Sequence, residues 1–174
     1  MDCSTSNNAN HNKNSTTNLL LHGAYETLIQ VDTSRFTPIE RITVGDSILA
    51  AGKDLKWEKR VVKLANCNPE IHDNSMSVLI SFANTQLAVA LDHFLLLSNG
   101  KLARACDLLI NDTLSDASGN PIAITSLELG KHSHRRCNIA TSLKLEDDNL
   151  SGHLLIMNGV VCADYTLQLF YKER

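Results

Sequence analysis

His93 is the side chain of this sequence best placed for acid–base chemistry. It follows Asp92 and directly precedes the apolar run Phe94-Leu95-Leu96-Leu97, which predicts a buried strand. Because an imidazole titrates near neutral pH, a histidine at the start of a strand can act as a general acid or base where a cleft opens there. The alternative is a core histidine whose ring nitrogens are satisfied by hydrogen bonds.

An internal repeat indicates where such a cleft would lie. A shift of 66 positions places the segment 42–48 on 108–114, with apolar residues on apolar residues and turn residues on turn residues. Two copies and no third predict one unit with a pseudo-two-fold axis. The same shift places Thr27 on His93. We therefore expect the start of the first copy, from His22 to Thr27, to lie beside His93 near that axis.

The chain as a whole reads as short strands separated by turns, with no long amphipathic helix, which is typical of an all-β domain. Gly45 is predicted to adopt a positive φ. Asp46 and Asp112, which the repeat superposes, are predicted to bond turn backbone groups. The spacing of 103–109 predicts one or two helical turns. The predicted strands are 27–31, 47–50, 57–64, 78–82, 86–90, 94–97, 113–114, 122–129, 139–145, 153–157, 160–162 and 165–171.

Composition divides the chain into a tail and one domain. Residues 1–18 contain six Asn among many Ser and Thr and show no apolar periodicity, so we expect them to be disordered. Residues 19–174 are predicted to form a single, monomeric domain. The net charge of −3 gives no general field for nucleic acid or an anionic membrane, and we expect neither as a partner. No motif implies a cofactor.

The cysteines favour a reducing environment. There are five, Cys3, Cys67, Cys106, Cys137 and Cys162, at wide spacings and without a Cys-x-x-Cys pair. This pattern argues against a disulfide framework and against a structural zinc site. We predict free thiols, with Cys106 and Cys162 in the core. With no secretory signal in the sequence, the expected location is the cytoplasm.

Several motifs in a fixed order give the chain a family resemblance. They are Glu26-Thr27-Leu28-Ile29, the segment 38–49, Leu91-Asp92-His93, the segment 100–108, Cys137-Asn138-Ile139 and the segment 152–161. By their order and spacing the chain resembles the Hint family, the autoprocessing domain shared by hedgehog proteins and inteins. The resemblance runs from about Leu20 to Gln168. It implies an all-β, horseshoe-like fold with a pseudo-two-fold internal duplication.

The resemblance also implies an intramolecular acyl shift. In the family, a nucleophile at the first residue attacks the preceding peptide bond, and a histidine of the middle motif protonates the leaving amine. His93 matches this histidine, and the nucleophile position falls on His22, or on Leu20 with a two-residue insertion. In inteins a late histidine helps a terminal Asn to cyclise and release the downstream chain. His153 matches the late histidine, and Asp164 stands at the Asn position.

The chain departs from the family pattern at four places. The nucleophile position holds neither Cys nor Ser, Ala90 replaces a Thr, Ala163 replaces a His, and Tyr165 stands where a Cys, Ser or Thr acceptor is expected. Losing the nucleophile of a catalytic unit removes most of its rate.

Three readings stay open at this point. In the first, the domain still cleaves its own flanking polypeptide on the C-terminal side, through His153 and Asp164. In the second, it is a degenerate Hint module that keeps the fold and binds a protein partner. In the third, the imidazoles of His22, His93 and His153 converge to bind zinc.

Overall fold

The computed structural model describes residues 26–73, 75–132 and 134–172, and these form fourteen strands and one α-helix. The predicted tail and His22 lie outside the described residues. The strands are β1 Leu28–Asp32, β2 Arg35–Pro38, β3 Ser47–Ala51, β4 Glu58–Val61, β5 Leu64–Asp73, β6 Met76–Phe82, β7 Thr85–Ala90, β8 Phe94–Leu96, β9 Leu102–Arg104, β10 Thr113–Ser115, β11 Pro121–Lys131, β12 His134–Ala140, β13 Leu154–Met157 and β14 Val160–Ala163. The helix is α1, Tyr165–Phe170.

A hairpin of β13 and β14 forms the centre of the molecule. The main sheet has the order β2-β1-β13-β14-β8-β9, and β13 also pairs with β3. All eight residues of the two strands are buried. Successive side chains enter different cores: Leu155 and Cys162 join the larger cluster, whereas Leu154 and Val161 join the smaller one. The hairpin is therefore apolar at every position because both of its faces are covered.

The repeat in the sequence is a repeat in the structure. The 66-residue shift superposes β1 on β8, β2 on β9 and β3 on β10, and it superposes two 3-10 turns, Ile39–Arg41 and Ala105–Asp107. Equivalent hydrogen bonds follow: Ile39 N donates to the Thr27 carbonyl, and Ala105 N donates to the His93 carbonyl, both at 2.8 Å. Since β1 flanks β13 and β8 flanks β14, the pseudo-two-fold axis passes through the central hairpin.

The repeated turns behave as the sequence predicts. The Asp46 carboxylate accepts from Thr43 N, and the Asp112 carboxylate accepts from Leu109 N, both at 2.8 Å. Gly45 has a φ of +99°, the left-handed region that a glycine adopts without strain. These carboxylates therefore stabilise turns and are not paired acids.

Two further layers complete the fold. A four-stranded sheet has the order β10-β11-β6-β7, and β5 pairs with β12 in a two-stranded ribbon. The curled sheets give the horseshoe-like all-β architecture predicted from the sequence. No helix among the described residues is long and apolar enough to cross a membrane.

Four predicted elements differ from the structure. The strand predicted over 57–64 is interrupted, because Val62 N bonds Asp46 O on one side and Lys63 N bonds Ala140 O on another, so the chain changes partners there. The strand predicted over 139–145 ends at Ala140. The turn predicted over 103–109 is the short β9 followed by one 3-10 turn. The strand predicted over 165–171 is α1.

The prediction of free thiols at Cys67 and Cys137 is wrong. These residues lie directly opposite each other where β5 pairs with β12, and a disulfide joins them. Their separation of 70 residues hid the pairing, since only the strand register brings them together. Cys162 is buried as predicted, but Cys106 is exposed because Ala105 and Leu108 take the inward positions of that turn.

The turn of the central hairpin generates a stability prediction. Asn158, at a φ of +50°, accepts from Leu28 N at 2.7 Å and donates to the carbonyls of Glu26 at 3.0 Å and Gln86 at 2.8 Å. Asn158→Gly removes these side-chain bonds and is expected to cost about 1–3 kcal/mol of unfolding free energy. Asn158→Ala is expected to lower the unfolding free energy by roughly 1 kcal/mol more than Asn158→Gly, because alanine is strained at a positive φ.

Urea denaturation of the two variants checks this order. Asn84→Ala, in the exposed turn between β6 and β7, serves as the control and is expected to change the midpoint little. Equal stability of wild type and Asn158→Gly would contradict the role given to the side-chain amide.

Candidate functional site

A pocket opens where the two repeat copies meet the central hairpin. Its volume is about 240 Å³. Thr27 and His93, the two positions that the repeat superposes, both line it. The remaining lining residues come from the first 3-10 turn, β7, the turn before β8, β12, the central hairpin and α1: Ile39, Ala88, Val89, Ala90, Asp92, Cys137, Asn138, Ile139, Met157, Ala163, Tyr165 and Gln168. The expected cleft at the pseudo-two-fold axis is therefore present.

His93 is held at the wall of this pocket with 8% of its surface exposed. Its backbone N donates to Ala90 O at 3.1 Å, which fixes the tight turn into β8. Its ring atom Nδ1 lies 2.7 Å from Nε2 of Gln168, a residue of α1. The imidazole is thus both a pocket-lining group and a partner of the helix that follows the central hairpin.

His153 and Asp164 form a buried pair one layer deeper. Nδ1 of His153 lies 3.1 and 3.0 Å from the two carboxylate oxygens of Asp164, and Nε2 lies 2.9 Å from the carbonyl of Lys144. Asp164 is fully buried and also accepts from Leu167 N at 2.8 Å, which makes it the N-cap of α1. The carboxylate therefore anchors the imidazole and the helix at once.

This pair holds a proton between its two members. Both ring nitrogens of His153 face acceptor oxygens, and that arrangement favours the doubly protonated ring. Burial alone would lower the pKa of His153, but the hydrogen bond and the charge of Asp164 outweigh it and raise that pKa. Burial raises the pKa of Asp164. The two shifts describe different steps: the His153 shift concerns loss of the proton that the pair shares, and the Asp164 shift concerns uptake of a second proton by the buried carboxylate.

The strand register sets these three residues in one row. Leu154 lies opposite Ala163, so His153 and Asp164 are the next pair along, and Asp164 N donates to the His153 carbonyl at 2.8 Å. Continuing the β8–β14 ladder from Leu95 and Cys162 places His93 opposite Asp164. Three predicted site residues thus occupy adjacent positions at the ends of β13, β14 and β8.

No family model matches the sequence, and no curated protein matches it. Solved structures do match the fold. The bacterial intein-like domain from Clostridium thermocellum superposes with a TM-score of 0.64 at 16% identity, covering 81% of this chain and 96% of that one. The gp41-1 intein gives 0.59 at 15%, covering 81% and 96%. A DnaB intein from Synechocystis sp. PCC 6803 gives 0.59 at 14%, covering 81% and 96%.

This chain has the Hint fold. The fold class predicted from the motif order is therefore confirmed, including its internal duplication. At 13–17% identity the likeness concerns the backbone arrangement and does not extend to the side chains that would carry out chemistry.

The structure brings some of the predicted site residues into contact and separates others. His93 lines the pocket, whereas His153 and Asp164 lie beneath it and bond each other. His22 is outside the described residues. Among the residues that the structure describes, no group of three or more His, Cys, Asp or Glu side chains is arranged to hold a metal ion. The zinc reading therefore finds no support in the described part of the chain.

Two pocket residues were missed by the sequence reasoning. Cys137 was predicted to be a family marker and a free thiol, yet it lines the pocket and forms the disulfide with Cys67. Gln168 carries no motif at all. A signal for it existed, because Asp164 followed by Tyr165-Thr166-Leu167 has the form of an N-cap and a first helical turn. That cap predicts a helix directly after Asp164, and the fold then places this helix beside His93.

The buried pair makes stability depend on pH. Since the folded pKa of His153 lies above its ordinary value of 6.5, its stabilising effect is complete below that pH and is lost as pH rises through the folded pKa. We expect the urea midpoint of the Hint domain to fall over this range in a series from about pH 5 to about pH 9. Asp164→Asn keeps an acceptor for the helix cap and removes the charge, so its midpoint is expected to depend less on pH.

The matched control is Asp148→Asn, which removes the same charge from an exposed position on the neighbouring loop. It is expected to keep the wild-type profile. If Asp164→Asn also kept that profile, the proton would not reside on this pair.

Proposed function

We propose that this Hint domain is a divergent relative of self-processing modules that does not cleave the bond after Asp164 and instead retains the downstream segment as part of its fold, acting as a protein-interaction module. One observation carries the proposal: the residue at the family's C-terminal cleavage position is the buried N-cap of a docked helix. A protein partner is proposed, together with a monomeric state, whereas the cytoplasmic location expected from free thiols is not proposed, because a disulfide joins Cys67 and Cys137.

The Asp164 side chain is committed to bonds that cyclisation would break. To attack its own main-chain carbonyl, the carboxylate would have to leave both Leu167 N and the ring of His153. Leaving His153 would strand an imidazole with 2% exposure away from its counter-charge. Removing one member of a buried pair typically costs about 3–5 kcal/mol, so the arrangement opposes the reaction.

The residues after Asp164 are built into the core. The hydroxyl of Thr166 donates to Ser142 O at 2.6 Å, and Leu167 is fully buried in the smaller hydrophobic cluster. Burying a leucine side chain contributes about 1.5–3 kcal/mol. A module that released its downstream chain would lose this contribution on cleavage, whereas one that keeps the chain retains it.

A second candidate function, self-cleavage on the N-terminal side, is favoured by the composition of the pocket wall. Thr27, at the start of β1, lines the same pocket as His93 and Cys137. Reduction of the disulfide would present the Cys137 thiol there, and a thiol is the nucleophile class that the family resemblance implies. In this candidate, His93 supplies the acid that protonates the leaving amine.

One experiment separates the two candidates. The full chain is fused between two protein tags, purified, and incubated for several days with and without a thiol reductant, and intact masses are measured. We expect the uncleaved fusion under both conditions. A fragment ending at Asp164 that disappears in His153→Ala would contradict the proposal.

The N-terminal candidate has its own signature in the same experiment. A fragment cut upstream of Thr27, formed only under reductant and lost in both Cys137→Ser and His93→Ala, would establish it. His132→Ala is the control for the histidine substitution, since His132 lies outside the residues lining the pocket.

A further inference from the structure

We propose that Gln168 is a positioning residue for His93: its amide holds the ring in the tautomer that carries the proton on Nε2, and α1 thereby keeps Nδ1 from any peptide in the pocket. The proposal does not rest on the proposed function. The tautomer belongs to the resting protein, whether or not any bond is cleaved.

The helix is oriented so that one of its faces meets the pocket. Thr166 and Leu167 are buried beneath it, Tyr165 and Gln168 are half-buried at the pocket, and Leu169 is 56% exposed on the far side. The orientation is fixed by two anchors, the Asp164 cap and the packing of Leu167 in the smaller core. A six-residue helix held at both its first turn and its inner face has little freedom to rotate Gln168 away.

The chemistry of the contact assigns the proton. The atom of Gln168 that faces His93 is Nε2, 2.7 Å from the ring Nδ1. An amide NH₂ group only donates, so Nδ1 must accept through its lone pair. A neutral imidazole has one donor and one acceptor nitrogen, and the proton is therefore on Nε2. Protonation of Nδ1 would set two donors against each other.

This contact has a consequence for the pocket. A histidine that serves as an acid or base must offer the reacting group a suitable nitrogen at hydrogen-bond distance. Here α1 occupies Nδ1 with a side chain of the same polypeptide. The segment after Asp164 thus acts as an internal cover, which explains why the pocket can keep the middle-motif histidine without exposing its Nδ1 to other chains.

The test reads the tautomer directly by ¹⁵N NMR of the imidazole, at a pH where the ring is neutral. In the wild type we expect a pyridine-like Nδ1 and a pyrrole-like Nε2 for His93. The wild-type spectrum is decisive without any variant, because a pyrrole-like Nδ1 would overturn the proposal.

Two variants separate geometry from charge. Gln168→Glu offers only acceptor oxygens, so it is expected to move the proton to Nδ1 or to stabilise the imidazolium ring. Leu169→Glu adds the same charge at the next, exposed position of α1 and is expected to leave the wild-type tautomer. Identical His93 spectra for wild type and Gln168→Glu would reject the assigned contact, as would equal shifts in both glutamate variants.

A chemical readout tests the covering role. Gln168→Ala is expected to increase the rate of His93 carbethoxylation by diethylpyrocarbonate several-fold, measured by peptide mass spectrometry, with Leu169→Ala as the control. A backbone amide spectrum close to the wild type confirms that each variant is folded. No acceleration in a folded Gln168→Ala would show that α1 does not cover the ring.

Discussion

The double-sided burial of the β13–β14 hairpin is the constraint on which this structure depends. Its side chains enter two different cores on alternate sides, and two of the strands that it pairs with, β1 and β8, directly follow Thr27 and His93 of the pocket. A one-residue slip of either strand would exchange the contents of the two cores. The register is therefore strongly specified, and with it the row that contains His153, Asp164 and His93.

Because the chain continues from the central hairpin into α1, polar groups are buried at the end of that hairpin. Asp164 is a charge with no exposed surface, and it is tolerated because an imidazole and a backbone N–H compensate it. The same carboxylate starts α1, so one side chain links the buried pair to the helix at the pocket. The wall of the pocket in this Hint fold is thus set by a helix boundary as much as by the histidines.

Features that depend on a local sequence pattern were predicted correctly. Features that depend on contacts between distant segments were not predicted. The repeat, the four strands β1, β3, β8 and β10 of its two copies, Gly45 and the turn aspartates are local features, and the structure confirms them. The cross-strand disulfide could not be predicted from spacing, since it requires the pairing of β5 with β12. After Asp164 the apolar alternation from Tyr165 to Tyr171 predicts a strand, whereas the N-cap at Asp164 is the local signal for the helix that the structure contains. His93 was placed correctly at a cleft, but its partner Gln168 belongs to no pattern.

Because of the disulfide, the two halves of the duplicated unit differ in conformational entropy in the denatured state. The bond between Cys67 and Cys137 closes a covalent ring of chain that contains β8, β9 and β10, whereas β1, β2 and β3 lie on the open chain outside it. On chain-entropy grounds, a ring spanning 70 residues restricts the unfolded ensemble by about 4 kcal/mol. Of the two copies, only the second lies within that ring. The unfolded chain is therefore more restricted in the copy that bears His93, and this copy has less conformational entropy to lose when it folds.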